Sequence, residues 1–155
     1  MSIPVVINGS TYQIPTEGQS PPWGTQVSDI LVALAAESGS SVGPHDILPT
    51  VFTLSNNVSS PSIVSGLAFD QATVRSAQIT YSIDRSTSTT EYSENGTIYA
   101  SYNSLSNTWS QSQFSDGNAQ VNFTITNGQF SYTSSNMTGS TPTGKLIFSA
   151  KASVQ

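Results

Sequence analysis

The sequence predicts a mainly β protein: an antiparallel β-sandwich or jelly-roll-like domain preceded by a short β-hairpin and one α-helix. Three observations lead to this fold class. Apolar and polar residues alternate along several short stretches, most clearly in Ala77–Asp84, and a period of two is that of a strand with one buried face. Turn-forming residues recur at intervals of roughly ten residues, as in sandwiches and barrels. Near the N-terminus, one stretch has the apolar period of a helix.

The first predicted element is a hairpin within Ile3–Pro15. Asn8-Gly9 stands between the β-prone runs Val5–Ile7 and Ser10–Ile14. Two-residue type I′ turns favour Asn-Gly because both turn positions need positive φ. The segment 16–22 contains glycine and two prolines, so it is expected to end the second strand.

An amphipathic helix is predicted next. Its apolar residues form one stripe at helical spacing, with Thr25 expected at the N-cap and Gly39 just past the last turn. The stripe packs either on its own hairpin or the β-domain, or against a neighbouring chain, because so small a unit has little core of its own. In the second case the interface residues are Trp23, Val27, Ile30, Leu31 and Leu34.

A Ser- and Gly-rich segment, Glu37–Pro44, marks the predicted domain boundary. Such a composition is typical of a flexible linker. We therefore expect residues 1–42 to be a hairpin-helix unit for attachment or oligomerisation. Residues 43–155 are expected to be the antiparallel β-domain.

The stretch Ala77–Trp109 organises that β-domain. The polar segment Arg85–Thr89 predicts a chain reversal, and Glu91–Tyr102 predicts the returning strand. Within that strand, Asn95-Gly96 predicts a bulge or tight bend because Gly permits positive φ. Trp109 is expected to be the largest apolar anchor of this sheet.

Further strands flank the stretch. Before it, Val51–Leu54 and Ile63–Phe69 are short apolar segments, separated by a predicted turn at Asn56–Pro61. After it, Asn127-Gly128 predicts the turn of a second hairpin. The alternating segment Gly144–Ala152 is expected to be the last strand.

The composition excludes several classes of function. Charged residues make up 8% of the chain, against roughly 25% in an average soluble domain, and the net charge is −5. Nucleic-acid binding needs Lys and Arg for phosphate contacts, and the chain has four such residues. Without cysteine, a disulfide scaffold and a thiolate site are excluded. No apolar run is long enough for a membrane span, so no membrane partner is expected.

The residues that usually carry catalysis do not form a recognisable site. The single histidine, His45, stands beside Asp46 in the linker without a nucleophile motif. Glu91 and Glu94 are an odd number of residues apart on one strand, so they point to opposite faces and cannot act as an acid–base pair. Asp116-Gly117-Asn118 resembles part of a calcium loop but predicts a turn. We expect no enzyme activity, no metal and no cofactor.

Aromatic residues with polar tips suggest a different kind of site, one that binds sugars. Tyr81 and Tyr132 fall on the apolar faces of their strands, which favours the core, whereas the sequence does not decide for Tyr99 and Trp109. The complete set of aromatic candidates is Tyr81, Tyr92, Tyr99, Tyr102, Trp109 and Tyr132.

Two parts of the chain resemble virion proteins of tailed bacteriophages. Residues 5–35, with the I-N-G turn, the Y-x-I-P step and W-G before the helix, resemble an N-terminal module of such proteins. Residues 74–112, with S-A-x-I-x-Y-S-I-x-R and E-x-G-T, and the later segments 121–137 and 144–152 resemble a β-module of tail fibres and small capsid-associated proteins. The resemblance implies a structural role in the virion, frequent trimerisation and no catalytic residues.

The sequence therefore leads to the hypothesis of a capsid decoration (cement) protein. It would be made in the host cytoplasm, form a homotrimer and bind the major capsid protein on the outer surface of the virion head. The alternative is a short tail-fibre or adhesin module that binds host surface glycans. Heptads and repeats, which an extended fibre shaft would need, are missing from the sequence, and this favours decoration.

Overall fold

A computed structural model describes residues 3–7, 10–14, 28–31 and 42–154. The chain divides into two compact units, Met1–Ser41 and Val42–Gln155. The described residues are mainly β, with two antiparallel sheets in the second unit. The predicted β-sandwich is confirmed.

The N-terminal unit contains the predicted hairpin. Strands β1 (Ile3–Ile7) and β2 (Ser10–Ile14) pair antiparallel, with Ile7 opposite Ser10. This register leaves two residues between the strands, as the Asn-Gly pair predicts. Residues 28–31 are helical, and the predicted helix ends at Thr25 and Gly39 lie outside the described residues.

The second unit is a sandwich of eight strands. One sheet has the order β3-β10-β5-β6-β7 and the other the order β4-β9-β8. The strands are β3 (Ile47–Thr53), β4 (Val58–Ala68), β5 (Val74–Ser86), β6 (Glu91–Asn103), β7 (Thr108–Gly117), β8 (Val121–Thr126), β9 (Gln129–Ser134) and β10 (Thr143–Val154).

The core lies between these two sheets and follows the alternation seen in the sequence. On β5 at the centre of the larger sheet, Ala77, Ile79, Tyr81 and Ile83 are buried. Their core neighbours from β10 and the smaller sheet include Leu146, Phe148, Ala150, Val64, Phe123, Phe130 and Tyr132. Each fully buried Val, Leu, Ile or Phe side chain among them stabilises the fold by about 1.5–3 kcal/mol.

The predicted turn at Asn56–Pro61 is wrong. The chain reverses earlier, and β4 begins at Val58 and runs through Pro61. Proline cannot donate to a β-ladder and is tolerated where the strand has no partner on one side. β4 is an edge strand of its sheet, and its pairing with β9 is irregular between Val58 and Ser62.

Asn95-Gly96 does not form the predicted bulge. Both residues pair in continuous register with β5, where Gly96 lies opposite Tyr81. A Cβ at position 96 would lie 2.5 Å from the Tyr81 hydroxyl oxygen and 2.7 Å from the Phe114 carbonyl oxygen. Glycine is required here by close packing, since it has no side chain to meet Tyr81.

The second predicted hairpin is confirmed, whereas Asp116 and Gly117 of the predicted turn at 116–118 are the last residues of β7. Asn127 and Gly128 join β8 to β9 with φ values of 50° and 80°, which is the type I′ geometry that Asn-Gly favours. Residues 104–107 join β6 to β7. Trp109 packs against the core and is partly buried.

Asp46 fastens the start of the sandwich to its last strand. Its side chain is 6% exposed, and one of its carboxylate oxygens forms a salt bridge with Lys151 Nζ at 2.8 Å. The same carboxylate accepts hydrogen bonds from the backbone N–H groups of Ala152 and Gly43. The hydrogen bond from Lys151, followed by those from the backbone, lowers the pKa of Asp46 from 3.8 to about 2.

We predict that Asp46→Asn lowers the free energy of unfolding near pH 7 and that this deficit shrinks as the pH falls from 3.8 towards about 2. A carboxylate with a lowered pKa stabilises the folded state above its unfolded pKa, and this contribution is lost as the folded-state group is protonated. Urea unfolding at several pH values measures the effect. Asp116→Asn on exposed β7 is the control, and a deficit that is unchanged down to pH 2 would contradict the prediction.

Candidate functional site

Two polar features of the sandwich are candidates for function: a buried network at one end, and a groove on the face of the larger sheet that points away from the core. The buried network contains Glu94, whose carboxylate accepts hydrogen bonds from the Tyr81 hydroxyl at 2.6 Å and from Gln113 Nε2 at 3.1 Å. Its other oxygen accepts the Ala119 backbone N–H at 2.8 Å. Burial, and then the hydrogen bond to Glu94, raise the pKa of Tyr81 well above its usual value of 10.

Arg85 forms the second part of the buried network. The sequence predicted a chain reversal at this residue, but it lies within β5 and is fully buried. Its guanidinium donates to the carbonyl oxygens of Ala119 and Ser135 at 2.7 Å and to Asn56 Oδ1 at 2.9 Å. Burial lowers the pKa of Arg85. The carbonyl and amide oxygens accept hydrogen bonds from its guanidinium, which would otherwise be a buried charge without partners.

The network has a structural role. Ala119 donates its N–H to Glu94 and accepts from Arg85 through its carbonyl oxygen, so one residue's backbone joins the two buried charges. Every hydrogen-bonding oxygen named here is already occupied by a partner within the fold. Among the described residues, no group of three His, Cys, Asp or Glu side chains could hold a metal ion.

The groove lies on the outer face, which we define as the face of the five-stranded sheet that points away from the core. The groove has a volume of about 560 Å³, within the range of roughly 300–1,000 Å³ that is typical of ligand sites. It crosses four strands, β10, β5, β6 and β7. The outward-pointing residues that line it are Ser76, Gln78, Tyr99, Ser101, Ser110, Ser112, Lys151 and Ser153.

Strand register arranges these residues in two rows across the sheet. In the serine row, Ser153 pairs with Ser76, Ser76 with Ser101, and Ser101 with Ser110. The hydroxyl oxygens of Ser101 and Ser110 are 3.0 Å apart. Four serines that are distant in sequence thus form one line of hydroxyl groups.

The tyrosine row lies beside the serine row. It runs from Lys151 through Gln78 and Tyr99 to Ser112. Tyr99 is 48% exposed although it is a large ring. It forms an edge-on contact with Phe114, which is 66% exposed, at a centroid distance of 6.2 Å.

The aromatic candidates from the sequence separate into three groups. Tyr81 and Tyr132 are buried, which confirms the prediction that they belong to the core. Tyr92, Tyr102 and Trp109 are half-buried, and the rings of Tyr102 and Trp109 are in tilted contact at a centroid distance of 5.4 Å. Tyr99 alone of the six is exposed on the outer face and lines the groove.

The predicted interface residues lie in the N-terminal unit. Ile30 is half-buried and Leu31 is 61% exposed. The other three, Trp23, Val27 and Leu34, lie outside the described residues. His45 precedes β3 in a loop, and its neighbour Asp46 bonds to Lys151. Glu91 is exposed and Glu94 is buried, which confirms that they occupy opposite faces.

Sequence reasoning missed the serine row and the buried Arg85. Serines on one strand look like ordinary solvent-facing positions, and only the pairing register shows that they meet across four strands. The sequence shows only that Ser76 and Gln78 share one face of their strand, as do Tyr99 and Ser101, because residues two apart point to the same side.

No helix in the described part of the chain is long and apolar enough to cross a membrane. Comparisons with protein-family models, with curated proteins and with solved structures returned no match.

Proposed function

We propose that the chain is a non-enzymatic structural protein of a tailed-bacteriophage virion, and that it decorates the outer surface of the assembled head. The N-terminal unit would attach the protein to the major capsid protein, and the bound protein would reinforce contacts between coat subunits. The likeness of residues 5–35 and 74–112 to virion modules supports a place in such a particle.

The division into two compact units is the observation that carries the proposal. Unit one is small and holds a hairpin and helical residues, whereas unit two is a complete sandwich with its own core. A domain with its own core can fold without the unit that precedes it. This arrangement suits a protein in which one part binds and the other is displayed.

The surface chemistry of the sandwich also supports a role in a crowded lattice. The outer face presents Ser, Thr, Asn and Gln side chains over most of its width. Identical chains can pack closely when their surfaces carry little charge, because mutual repulsion is weak. Neutral hydroxyl and amide groups also hydrogen-bond to a partner at a smaller desolvation cost than charges.

A second candidate, the short tail-fibre or adhesin module, is favoured by one observation. Tyr99 is exposed above a groove lined by hydroxyl groups. That chemistry suits a glycan as well as a protein surface.

Self-association into a homotrimer belongs to the same proposal. Leu31 is a large exposed apolar side chain beside half-buried Ile30, and a neighbouring copy would cover it. Dimers are the commonest symmetric oligomers. The choice of three rests on the likeness to phage proteins and on the threefold positions of a capsid lattice.

We predict that deleting residues 1–42 abolishes binding to capsids while leaving the sandwich folded. The deletion removes the proposed attachment unit and spares the core between the two sheets. Co-sedimentation with capsids that lack the chain measures occupancy, and circular dichroism checks the fold. Full occupancy by a folded truncated protein would show that the N-terminal unit is not the attachment element.

We predict a trimer mass for the full chain at micromolar concentration, and dissociation or misfolding of the Ile30→Asp, Leu31→Asp double variant. A charge at a covered apolar contact would be buried without a partner. Size-exclusion chromatography with light scattering gives the masses. Leu105→Asp is the control, because Leu105 is 98% exposed in the β6–β7 connection. A monomer mass for the wild type would contradict the prediction. A dimer mass would contradict threefold symmetry but would agree with self-association.

A further inference from the structure

We propose that the groove on the outer face of the five-stranded sheet binds a neutral oligosaccharide. The inference adds a ligand site to the proposed function and does not depend on capsid binding, since a decoration protein and an adhesin could both carry such a site. It rests on the hydroxyl groups, the exposed ring, the charge and the dimensions of the groove.

The serine row offers the hydrogen bonding that sugars need. Each serine hydroxyl is one donor and two acceptors, so it can bond to a sugar hydroxyl in either direction. The hydrogen bond between the Ser101 and Ser110 hydroxyls, and the contact of the Ser110 hydroxyl with the Ser101 carbonyl oxygen at 3.5 Å, use part of this capacity. Ser76 and Ser153 also line the groove. Gln78 adds an amide with both donors and an acceptor.

Tyr99 provides the apolar surface. Burying a ring of this size removes roughly 150–250 Å² from water, yet here the ring remains half in solvent, supported on one edge by Phe114. Aromatic rings with a polar tip are favoured at wet interfaces. The flat C–H face of a pyranose ring is a suitable partner because it is apolar and surrounded by hydroxyl groups.

The charge of the groove excludes a strongly anionic ligand. Of the described residues that line it, Lys151 is the one that carries a charge, and its ammonium group contacts the Asp46 carboxylate. This pair neutralises the cation beside the groove. A nucleic acid or a polyanionic glycan would need several unneutralised cations along its path.

The dimensions fit a short chain of sugars. Four strands span three inter-strand spacings, or ~14 Å, and the two rows lie two residues apart along each strand, or ~7 Å. A linear oligosaccharide that lies across the strands would follow the serine row with its hydroxyls. One of its rings would then face Tyr99.

The test is a printed array of neutral and anionic bacterial surface oligosaccharides, probed with the full-length protein, followed by calorimetric titration of the neutral oligosaccharide that is retained best. We expect retention on neutral oligosaccharides. Tyr99→Ser should weaken the titrated affinity by about tenfold or more, and Ser101→Ala with Ser110→Ala should weaken it as well. Leu105→Ser, a change of an exposed side chain in the β6–β7 connection, should leave the affinity unchanged.

Three outcomes would overturn the inference. They are retention on anionic oligosaccharides alone, no retention on any neutral oligosaccharide, and a Tyr99→Ser variant that binds as well as the wild type. Loss of capsid binding by Tyr99→Ser without any glycan binding would assign the groove to a protein partner instead. The array contains no capsid, so a lack of glycan binding would not contradict the decoration proposal. Failure to bind capsids would likewise not contradict the proposed glycan site.

Discussion

The register in which β5 pairs with β10 on one side and β6 on the other is the constraint on which the rest of the sandwich depends. Side chains alternate between the two faces, so a slip of one residue would exchange them. Ile79 and Tyr81 would then point to solvent, and Thr80 would enter the core. Gly96 helps to fix the register, because a residue with a side chain cannot stand opposite the Tyr81 ring.

The same register creates both polar features of the sandwich. On the inner face it brings Glu94 to Tyr81, and it leaves Arg85 at the end of β5 where three connecting segments can supply oxygens. On the outer face it aligns serines from four strands and leaves Tyr99 above them. The polar groups of the buried network bond to one another and stabilise the fold. The polar groups of the groove on the outer face are accessible to a ligand.

Local patterns in the sequence predicted the parts of the fold that depend on local physics. Alternation located the buried residues of β5 and β10, and Asn127-Gly128 located a type I′ turn, because in both cases the signal lies in neighbouring residues. Pro61, Arg85 and Gly96 were misread because their roles come from distant partners. Pro61 is tolerated because β4 is an edge strand. Arg85 can be buried because three connecting segments supply oxygens to its guanidinium. Gly96 is required because the ring of Tyr81 leaves no room for a side chain. The groove could not be predicted for the same reason, since pairing alone brings its serines together.

Cryo-electron microscopy of the purified virion can test the proposed place of the chain on the outside of a phage head. We expect repeated density on the outer surface of the head that fits the eight-stranded sandwich, in groups of three. Density for the sandwich at the tail and none on the head would contradict the decoration proposal, and a virion that lacks this chain would contradict a structural role altogether.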